Sequence, residues 1–170
     1  KRVKFGKDIT AKKGRVPNLV FGYDKIPDEK YILKINEEEA KIVKEIFESY
    51  VYKGMGTTKI AWELNDKGIR TKKTKSKWVQ TSIVRMLKNP IYTGRITNKK
   101  SEITDFITGT RKDLPEDEWI IVEKPEMRII SDELFNRAQD ILAQRSNEFK
   151  QNMYLVHLYI ANIVVIRLEE

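Results

Sequence analysis

The side chains with the clearest chemical potential are Lys and Arg, which bind phosphate, and they are concentrated in two blocks. Residues 67–100 hold eleven of them and no acid, and residues 1–15 hold seven with one Asp. The remaining residues carry fifteen basic and twenty-four acidic side chains, a net charge of −9 in a chain whose total is +8. Two positive blocks on an otherwise acidic chain are typical of a surface that binds a polyanion. The alternative is a solvated, Lys-rich surface without a ligand.

Catalytic and metal chemistry find little support in the same sequence. Cysteine is absent and His157 is the sole histidine, which excludes thiolate zinc sites, iron–sulfur clusters, cysteine nucleophiles and His-rich metal centres. The acidic residues do not cluster at metal-ligand spacing, and Gly54-Met55-Gly56 lacks the strand and third glycine of a dinucleotide-binding loop. We therefore predict that this chain is not an enzyme by itself and takes no cofactor.

The sequence also lacks signs of export or membrane insertion. No run of 18 apolar residues exists, and the basic N-terminus lacks the apolar stretch of a signal peptide. We expect a cytoplasmic protein with no membrane partner. The chain begins with Lys1 rather than Met, which suggests a fragment of a longer protein.

Two predicted helices position the second basic block. Apolar residues at helical spacing predict one helix from a Thr57 or Thr58 cap to Lys67 and another over 80–88, which a proline ends. The basic stretch 69–79 between them is predicted to be a loop or a small hairpin. Two helices in this order predict a helix-turn-helix, whose second helix enters the major groove of DNA. The connection is longer than the usual three or four residues.

The second of these helices offers side chains that can read base edges. Ile83, Val84 and Leu87 are predicted to face the core, which leaves the polar residues facing outward. Gln, Ser, Thr and Arg hydrogen-bond base edges, whereas Lys and Arg also follow the phosphates. Trp78 is predicted to pack in the core rather than stack on a base. The predicted DNA contacts in this window are Arg70, Lys72, Lys73, Lys75, Lys77, Gln80, Thr81, Ser82, Arg85, Lys88 and Arg95.

The first basic block is predicted to be a helix end or arm that supports DNA binding more than folding. It contains few apolar residues and therefore offers little surface to a core. Basic arms of this kind enter the minor groove beside a major-groove helix in other recognition modules. The predicted DNA contacts in this arm are Lys1, Arg2, Lys4, Lys12 and Lys13.

The remaining pattern predicts an α+β fold, rich in helix and with a small β-sheet. Asn36 is predicted to cap a helix that runs to about Val51, and Glu39 is predicted to bond back to the Asn36 N–H. The other expected elements are a turn or hairpin over 21–33, strands at 91–97 and 119–123, a turn-rich loop at 108–118, and a helix from a Ser131 or Asp132 cap to about Asn147.

The C-terminal segment differs in composition from the rest. Residues 153–166 are almost entirely apolar, interrupted only by His157 and Asn162, and are too few to span a bilayer. Three readings are open: a continuation of the last helix into an end covered by another chain, a buried strand, or a segment foreign to a truncated protein. We favour self-association, because a monomer rarely exposes so much contiguous apolar surface.

Several segments together match one family. The most specific is KWVQTSIVRMLKNPIYTGRI at 77–96, which fits the pattern W-x-x-x-[ST]-[IV]-x-x-[ML]-L-x-N-P-x-Y-x-G. FGY at 21–23, GMGTTKIAWELNDKGI at 54–69, EWIIVE at 118–123 and IISDELFNRAQDIL at 129–142 also match. Over about residues 1–146 the chain resembles the "recombinase" DNA-binding domain of large serine recombinases, which are phage integrases and transposon resolvases.

The resemblance implies three regions and a function. Residues 1–15 would be a basic linker or helix end, 16–150 the recombinase-type DNA-binding domain, and 151–170 an apolar tail outside the family pattern. It implies sequence-specific binding of duplex DNA at an attachment half-site, within a full-length protein that acts as a dimer or tetramer on DNA. The nucleophilic serine and the zinc ribbon of such enzymes belong to domains that this sequence does not contain. The alternative function is a non-catalytic RNA-binding or transcription-regulatory helix-turn-helix module.

Overall fold

The computed structural model describes most of the chain, with side chains through residue 156. The described residues are 6, 9–16, 18–27, 29, 31–72, 75–105 and 108–168. Within them, helices and small antiparallel sheets alternate along the chain, so that the predicted α+β class is confirmed.

The fold begins with the predicted hairpin. Strands β1 (Tyr23–Lys25) and β2 (Leu33–Ile35) pair antiparallel, with Tyr23 opposite Ile35. The hydroxyl of Tyr23 lies buried within hydrogen-bond distance of two backbone carbonyls, Ile91 O at 3.0 Å and Met127 O at 2.8 Å. Its burial raises the pKa of this hydroxyl well above the ordinary value, so Tyr23 remains a neutral donor that ties the hairpin to later parts of the chain.

Helix α1 (Glu37–Val51) starts at the predicted cap, but half of the predicted capping box is wrong. The Asn36 side chain accepts a hydrogen bond from Glu39 N at 3.1 Å, as expected. Glu39 does not bond back to Asn36 N, because that N–H donates to Gly22 O at 3.0 Å. The Glu39 carboxylate instead accepts from Gly22 N at 2.7 Å. The hairpin therefore takes the hydrogen bonds that a local motif would have used.

Helices α2 (Thr57–Asp66) and α3 (Gln80–Leu87) lie close to their predicted positions. The cap of α2 is Gly56 rather than a threonine, and it makes no side-chain hydrogen bond. Ile83 and Leu87 are fully buried in α3 as predicted, whereas Val84 is only half-buried and Met86 takes its expected place in the core.

A 3₁₀ turn (Pro90–Thr93) replaces the start of the strand predicted from residue 91. Asn89 caps it by accepting from Ile91 N at 3.2 Å, and the Thr93 hydroxyl donates to Pro90 O at 2.8 Å. Gly94 then adopts a left-handed conformation with φ of 83°, and the strand begins only after it. These caps outweigh the alternation of apolar residues on which the prediction rested.

Two further strand pairs follow. Strand β3 (Arg95–Asn98) pairs antiparallel with β6 (Ile120–Glu123), which confirms the second predicted strand. Strands β4 (Ser101–Ile103) and β5 (Arg111–Asp113) form a hairpin where the sequence predicted only a loop. All three residues of β5 are exposed, so the hairpin has no apolar face that would mark it in the sequence.

The last helix, α4 (Asp132–Leu168), begins after Ser131, whose hydroxyl accepts from Leu134 N at 3.2 Å. It packs Phe135 and Ala138 into the core and then continues without a break past Asn147 and past the boundary predicted between residues 150 and 151. The buried-strand reading of the tail is therefore wrong. Self-association of the tail stays a prediction.

The described tail side chains are exposed. Met153, Tyr154, Leu155 and Val156 leave between 43% and 68% of their surface in solvent. Among the described residues, no helix is both long enough and apolar enough to cross a membrane.

The core joins the hairpin to the helices. The Phe47 ring meets the Tyr92 ring edge-on at 5.9 Å, and Tyr23 stacks on Tyr92 at 6.0 Å. Arg145 of α4 packs against the C-terminal end of α1. Its guanidinium lies 4.8 Å from the centre of the Tyr50 ring and donates to Gly54 O at 2.9 Å. This frame holds α3 against α2 and α4.

Candidate nucleic-acid interface

The outward side of α3 is polar and basic. Thr81, Arg85 and Lys88 follow at i, i+4 and i+7, so they share one face, and all three are exposed. Gln80 is exposed at the first turn, and Ser82 is half-buried beside it. The structure therefore brings the predicted base-reading residues together on the solvent side of one short helix.

The start of this helix is held by a side chain from α2. Asn65 Oδ1 accepts from Trp78 N at 2.8 Å, and Asn65 Nδ2 donates to Trp78 O at 2.9 Å. Trp78 is 5% exposed and meets the ring of Phe21 edge-on at 5.0 Å. The prediction that Trp78 packs in the core is confirmed. Because Trp78 lies two residues before α3, these contacts fix the position at which the helix begins.

The end of α3 is held from the opposite side. Gln139 of α4 donates from Nε2 to Leu87 O at 2.7 Å, which satisfies one of the carbonyls left free at a helix C-terminus. The eight residues of α3 are therefore fixed at both ends by amide side chains from neighbouring helices. A helix held in this way presents its exposed face in one orientation.

The basic loop before α3 is a structured turn. Thr71 N donates to Ser76 O at 3.1 Å, Lys75 N donates to Thr71 O at 3.0 Å, and Lys75 has a left-handed φ of 47°. Lys75 and Lys77 are exposed on this turn, and Arg70 is exposed before it. These are the positions at which cations can follow a phosphate backbone beside α3. Lys73 lies outside the described residues.

Two of the predicted contacts are engaged in ion pairs. The ammonium of Lys72 lies 2.7 Å from Asp24 Oδ1 and 2.7 Å from Glu39 Oε2. The guanidinium of Arg95 lies 2.5 Å from Asp132, which also pairs with Arg128 at 2.9 Å. The structure therefore places Lys72 and Arg95 beside carboxylates rather than among the exposed cations of the loop and α3.

The first basic block is described in part. Residues 9–12 are helical, Lys12 and Lys13 are exposed, and the Lys13 ammonium lies 5.7 Å from the centre of the Tyr31 ring. Asn98 on β3 donates to the carbonyl of Ala11 at 3.3 Å, which ties this segment to the sheet. Lys1, Arg2 and Lys4 lie outside the described residues.

The described residues offer no gathered metal ligands. No three Asp, Glu or His side chains in that part of the chain lie together. The buried Tyr92 has a raised pKa because of desolvation, but its hydroxyl donates to Phe21 O at 3.1 Å, which is a structural contact.

Two exposed apolar residues, one at the start of α3 and one on α2, were not predicted as contacts. Val79, the N-cap residue of α3, is 54% exposed, and Trp62 on α2 is 65% exposed. Helical spacing places Val79 on the same face as Ile83 and Leu87, so the pattern indicated burial; Val79 is exposed instead as the N-cap residue, whose backbone is extended rather than helical. Asn65 was missed for a different reason, because its partner lies 13 residues away.

A family model supplies the deciding observation. The model named Recombinase matches residues 37–145, which include α1, α2, α3 and the start of α4. The chain belongs to the Recombinase family. The match confirms the family that the 77–96 motif indicated, and the candidate surface lies inside the matched range.

Solved structures share the fold of this recombinase domain. One, named "Crystal Structure of a LSR-DNA Complex", has a TM-score of 0.59 and 23% identity over 86% of this chain and 39% of its own. Another, named "Sequence Requirements of the Listeria innocua prophage attP site", has a TM-score of 0.57 and 24% identity over 84% of this chain and 52% of its own. The chain thus spans about 40% to 50% of the length of these two chains.

Proposed function

We propose that this recombinase domain binds duplex DNA sequence-specifically, as the part of a site-specific serine recombinase that reads one half of an attachment site. The observation that carries the proposal is the outward face of α3, on which Thr81, Arg85 and Lys88 align without an acid among them. The names of the two related structures, an LSR–DNA complex and a prophage attP site, support the same substrate.

Base reading is assigned to the first turns of α3. Arg85 and Gln80 carry the donors and acceptors that pair with guanine and adenine edges in the major groove, and Thr81 offers both a hydroxyl and a methyl group. The Asn65 and Gln139 contacts keep the backbone of α3 fixed. A fixed helix loses little conformational freedom on binding, which favours discrimination between bases.

Phosphate binding is assigned to exposed cations on both sides of α3. Arg70, Lys75 and Lys77 precede the helix and Lys88 follows it, while Lys12 and Lys13 belong to the first basic block. Each neutralised phosphate contributes about −0.9 to the slope of log K against log salt, so six such contacts predict a slope of about −5.

The recombination reaction itself is assigned to other parts of a longer protein. Strand exchange by a serine recombinase needs the nucleophilic serine of a catalytic domain, and to the surface of α3 and its loop we assign only the binding and orientation of DNA. We propose that the whole protein assembles as a dimer or tetramer on its DNA, and that this domain supplies the sequence preference of each subunit.

Fluorescence anisotropy with labelled duplex DNA, duplex RNA and single-stranded RNA tests the proposal. The expected result is tightest binding to duplex DNA, with a slope of about −5 between low and physiological salt. Equal or tighter binding to RNA would favour the RNA-binding alternative. A flat salt response with duplex DNA would contradict the proposed surface.

A further inference from the structure

Two of the predicted DNA contacts, Lys72 and Arg95, form ion pairs, and Lys72 is the less exposed of the two. Its side chain is 16% exposed, and its ammonium bridges Asp24 and Glu39 at 2.7 Å each. Both carboxylates are held by further donors. Glu39 Oε2 also accepts from Gly22 N at 2.7 Å, and Asp24 Oδ2 accepts from Asn36 Nδ2 at 2.9 Å.

The two carboxylates balance the positive charge of Lys72, which stays protonated. Burial alone would lower the pKa of Lys72, but the hydrogen bonds to Asp24 and Glu39 outweigh it and raise the pKa. The same contact, with help from Asn36, lowers the pKa of Asp24. The one ammonium and the two carboxylates together carry a net charge of −1. Lys72 therefore has no free charge with which to displace the counterions of a phosphate.

The position of Lys72 in the chain indicates a structural role for these ion pairs. It follows Thr71, the first residue of the turn that Ser76 closes, and it precedes the exposed Lys75 and Lys77. Its partners lie on the β1–β2 hairpin and on α1. The two ion pairs therefore attach the basic loop to the β1–β2 hairpin and to α1.

We propose that Lys72 is a positioning residue, which holds the loop with Arg70, Lys75 and Lys77 in its DNA-binding shape and does not itself bind phosphate. This assignment rests on the proposed function. A loop that is already ordered avoids an ordering cost on binding, and that cost corresponds to a roughly three- to tenfold change in affinity.

The first test compares two substitutions by anisotropy across a salt series. Lys72→Met should weaken duplex binding about three- to tenfold and leave the slope of log K against log salt unchanged. Lys77→Ala, the matched control, should weaken binding and reduce the size of the slope by about 0.9. A Lys72→Met variant that loses the same slope as the control, or that binds as tightly as the wild type, would overturn the proposal.

A second variant tests the proposal in case Lys72→Met does not fold. The double substitution Asp24→Asn with Glu39→Gln removes two negative charges and releases Lys72, while the glutamine oxygen can still accept from Gly22 N. Simple electrostatics predicts tighter DNA binding after the loss of two acids. Positioning predicts weaker binding, because the loop is no longer fastened. Tighter binding by the double variant would refute the proposal.

A third readout requires no DNA. Amide hydrogen exchange of Thr71 and Lys75, whose N–H groups close the turn, should be faster in Lys72→Met than in the wild type and unchanged in Lys77→Ala. Unchanged exchange in Lys72→Met would refute the positioning role. If the wild type binds no duplex while exchange responds as expected, the proposed function fails and the fastening of the loop by Lys72 stands.

Discussion

Asn65 makes two hydrogen bonds to the backbone of one residue, Trp78, with its Oδ1 accepting from Trp78 N and its Nδ2 donating to Trp78 O. This arrangement copies the pairing of two strand residues, with a side chain in place of one backbone. It fixes the chain immediately before α3 and explains how an eight-residue helix keeps a defined position. Isolated helices of this length are unstable in water, so the tertiary contacts decide its geometry.

Substitution of Asn65 by Asp should therefore destabilise the protein. The carboxylate can still accept from Trp78 N, but it cannot donate to Trp78 O and places a second acceptor against it. The expected loss in free energy of unfolding is about 1–3 kcal/mol, measured by urea denaturation. Because the proposed function places base reading on α3, the affinity for DNA should also fall. An unchanged midpoint and slope of the urea transition would show that this pair does not hold the helix.

Gly94 should tolerate alanine far less well than another left-handed glycine does. A Cβ at Gly94 would lie 2.6 Å from Lys124 O, whereas a Cβ at Gly109 would meet no heavy atom within 4 Å. Both residues have positive φ, 83° and 71°. Backbone strain alone costs about 1–2 kcal/mol for each alanine.

Thermal or urea denaturation of the two variants measures the difference between them. In Gly109→Ala the free energy of unfolding should fall only by the amount expected from backbone strain. Gly94→Ala should lose clearly more, because Lys124 N donates to Gly94 O at 2.7 Å and the two backbones cannot separate without breaking that bond. Equal losses would show that the turn relaxes around the added methyl group.

The pH dependence of stability should reveal the Asp24 carboxylate. Hydrogen bonds from Lys72 and Asn36 hold its pKa below the ordinary value. Because the folded-state pKa is depressed, the contribution to stability is complete above the ordinary Asp pKa of about 3.9 and is lost as pH falls through the lower folded-state value. The free energy of unfolding should therefore fall below about pH 4 more steeply in the wild type than in Asp24→Asn. Parallel curves from urea denaturation across this range would contradict the assignment.

Val79 should contact a thymine methyl group if α3 reads the major groove. Its side chain is 54% exposed at the start of the helix, and apolar side chains recognise the C5 methyl of thymine. With a duplex selected for tight binding, Val79→Ala should cost about 1–2 kcal/mol, because it removes two methyl groups worth about 0.8 kcal/mol each when buried. Replacing the contacted thymine by deoxyuridine should abolish this difference. Additive effects at every thymine would exclude the contact.

Local signals in the sequence account for the elements that were predicted correctly. Asn36 caps α1, apolar spacing marks α2 and α3, and the run of β-branched residues at 120–122 marks β6. The predicted bond from Glu39 back to Asn36 N was wrong because a distant residue competed for the carboxylate: Glu39 accepts from Gly22 N, 17 residues away. The ion pair between Lys72 and Asp24 spans 48 residues and was likewise not predicted. Periodicity contains no information about such pairs.

The candidate surface shows the same division. Exposure of Thr81, Arg85 and Lys88 follows from helical spacing, so sequence alone could place them together. The pairing of Lys72 and Arg95 with carboxylates could not be foreseen, because charge counting treats every cation in a basic window alike. The β4–β5 hairpin was missed because its strands are short and β5 is fully exposed.

The most direct test of the account is the ratio of affinity for a selected duplex to affinity for random duplex. A library of random duplexes is enriched on the wild-type domain, and the ratio is then measured for the wild type, Arg85→Ala and Lys77→Ala. The account predicts one dominant motif, bound at least about 10³ times more tightly than random DNA. Arg85→Ala should reduce that ratio, whereas Lys77→Ala should weaken both duplexes equally and preserve it. Absence of an enriched motif, or the same change in ratio for both variants, would contradict the claim that the outward face of α3 reads sequence.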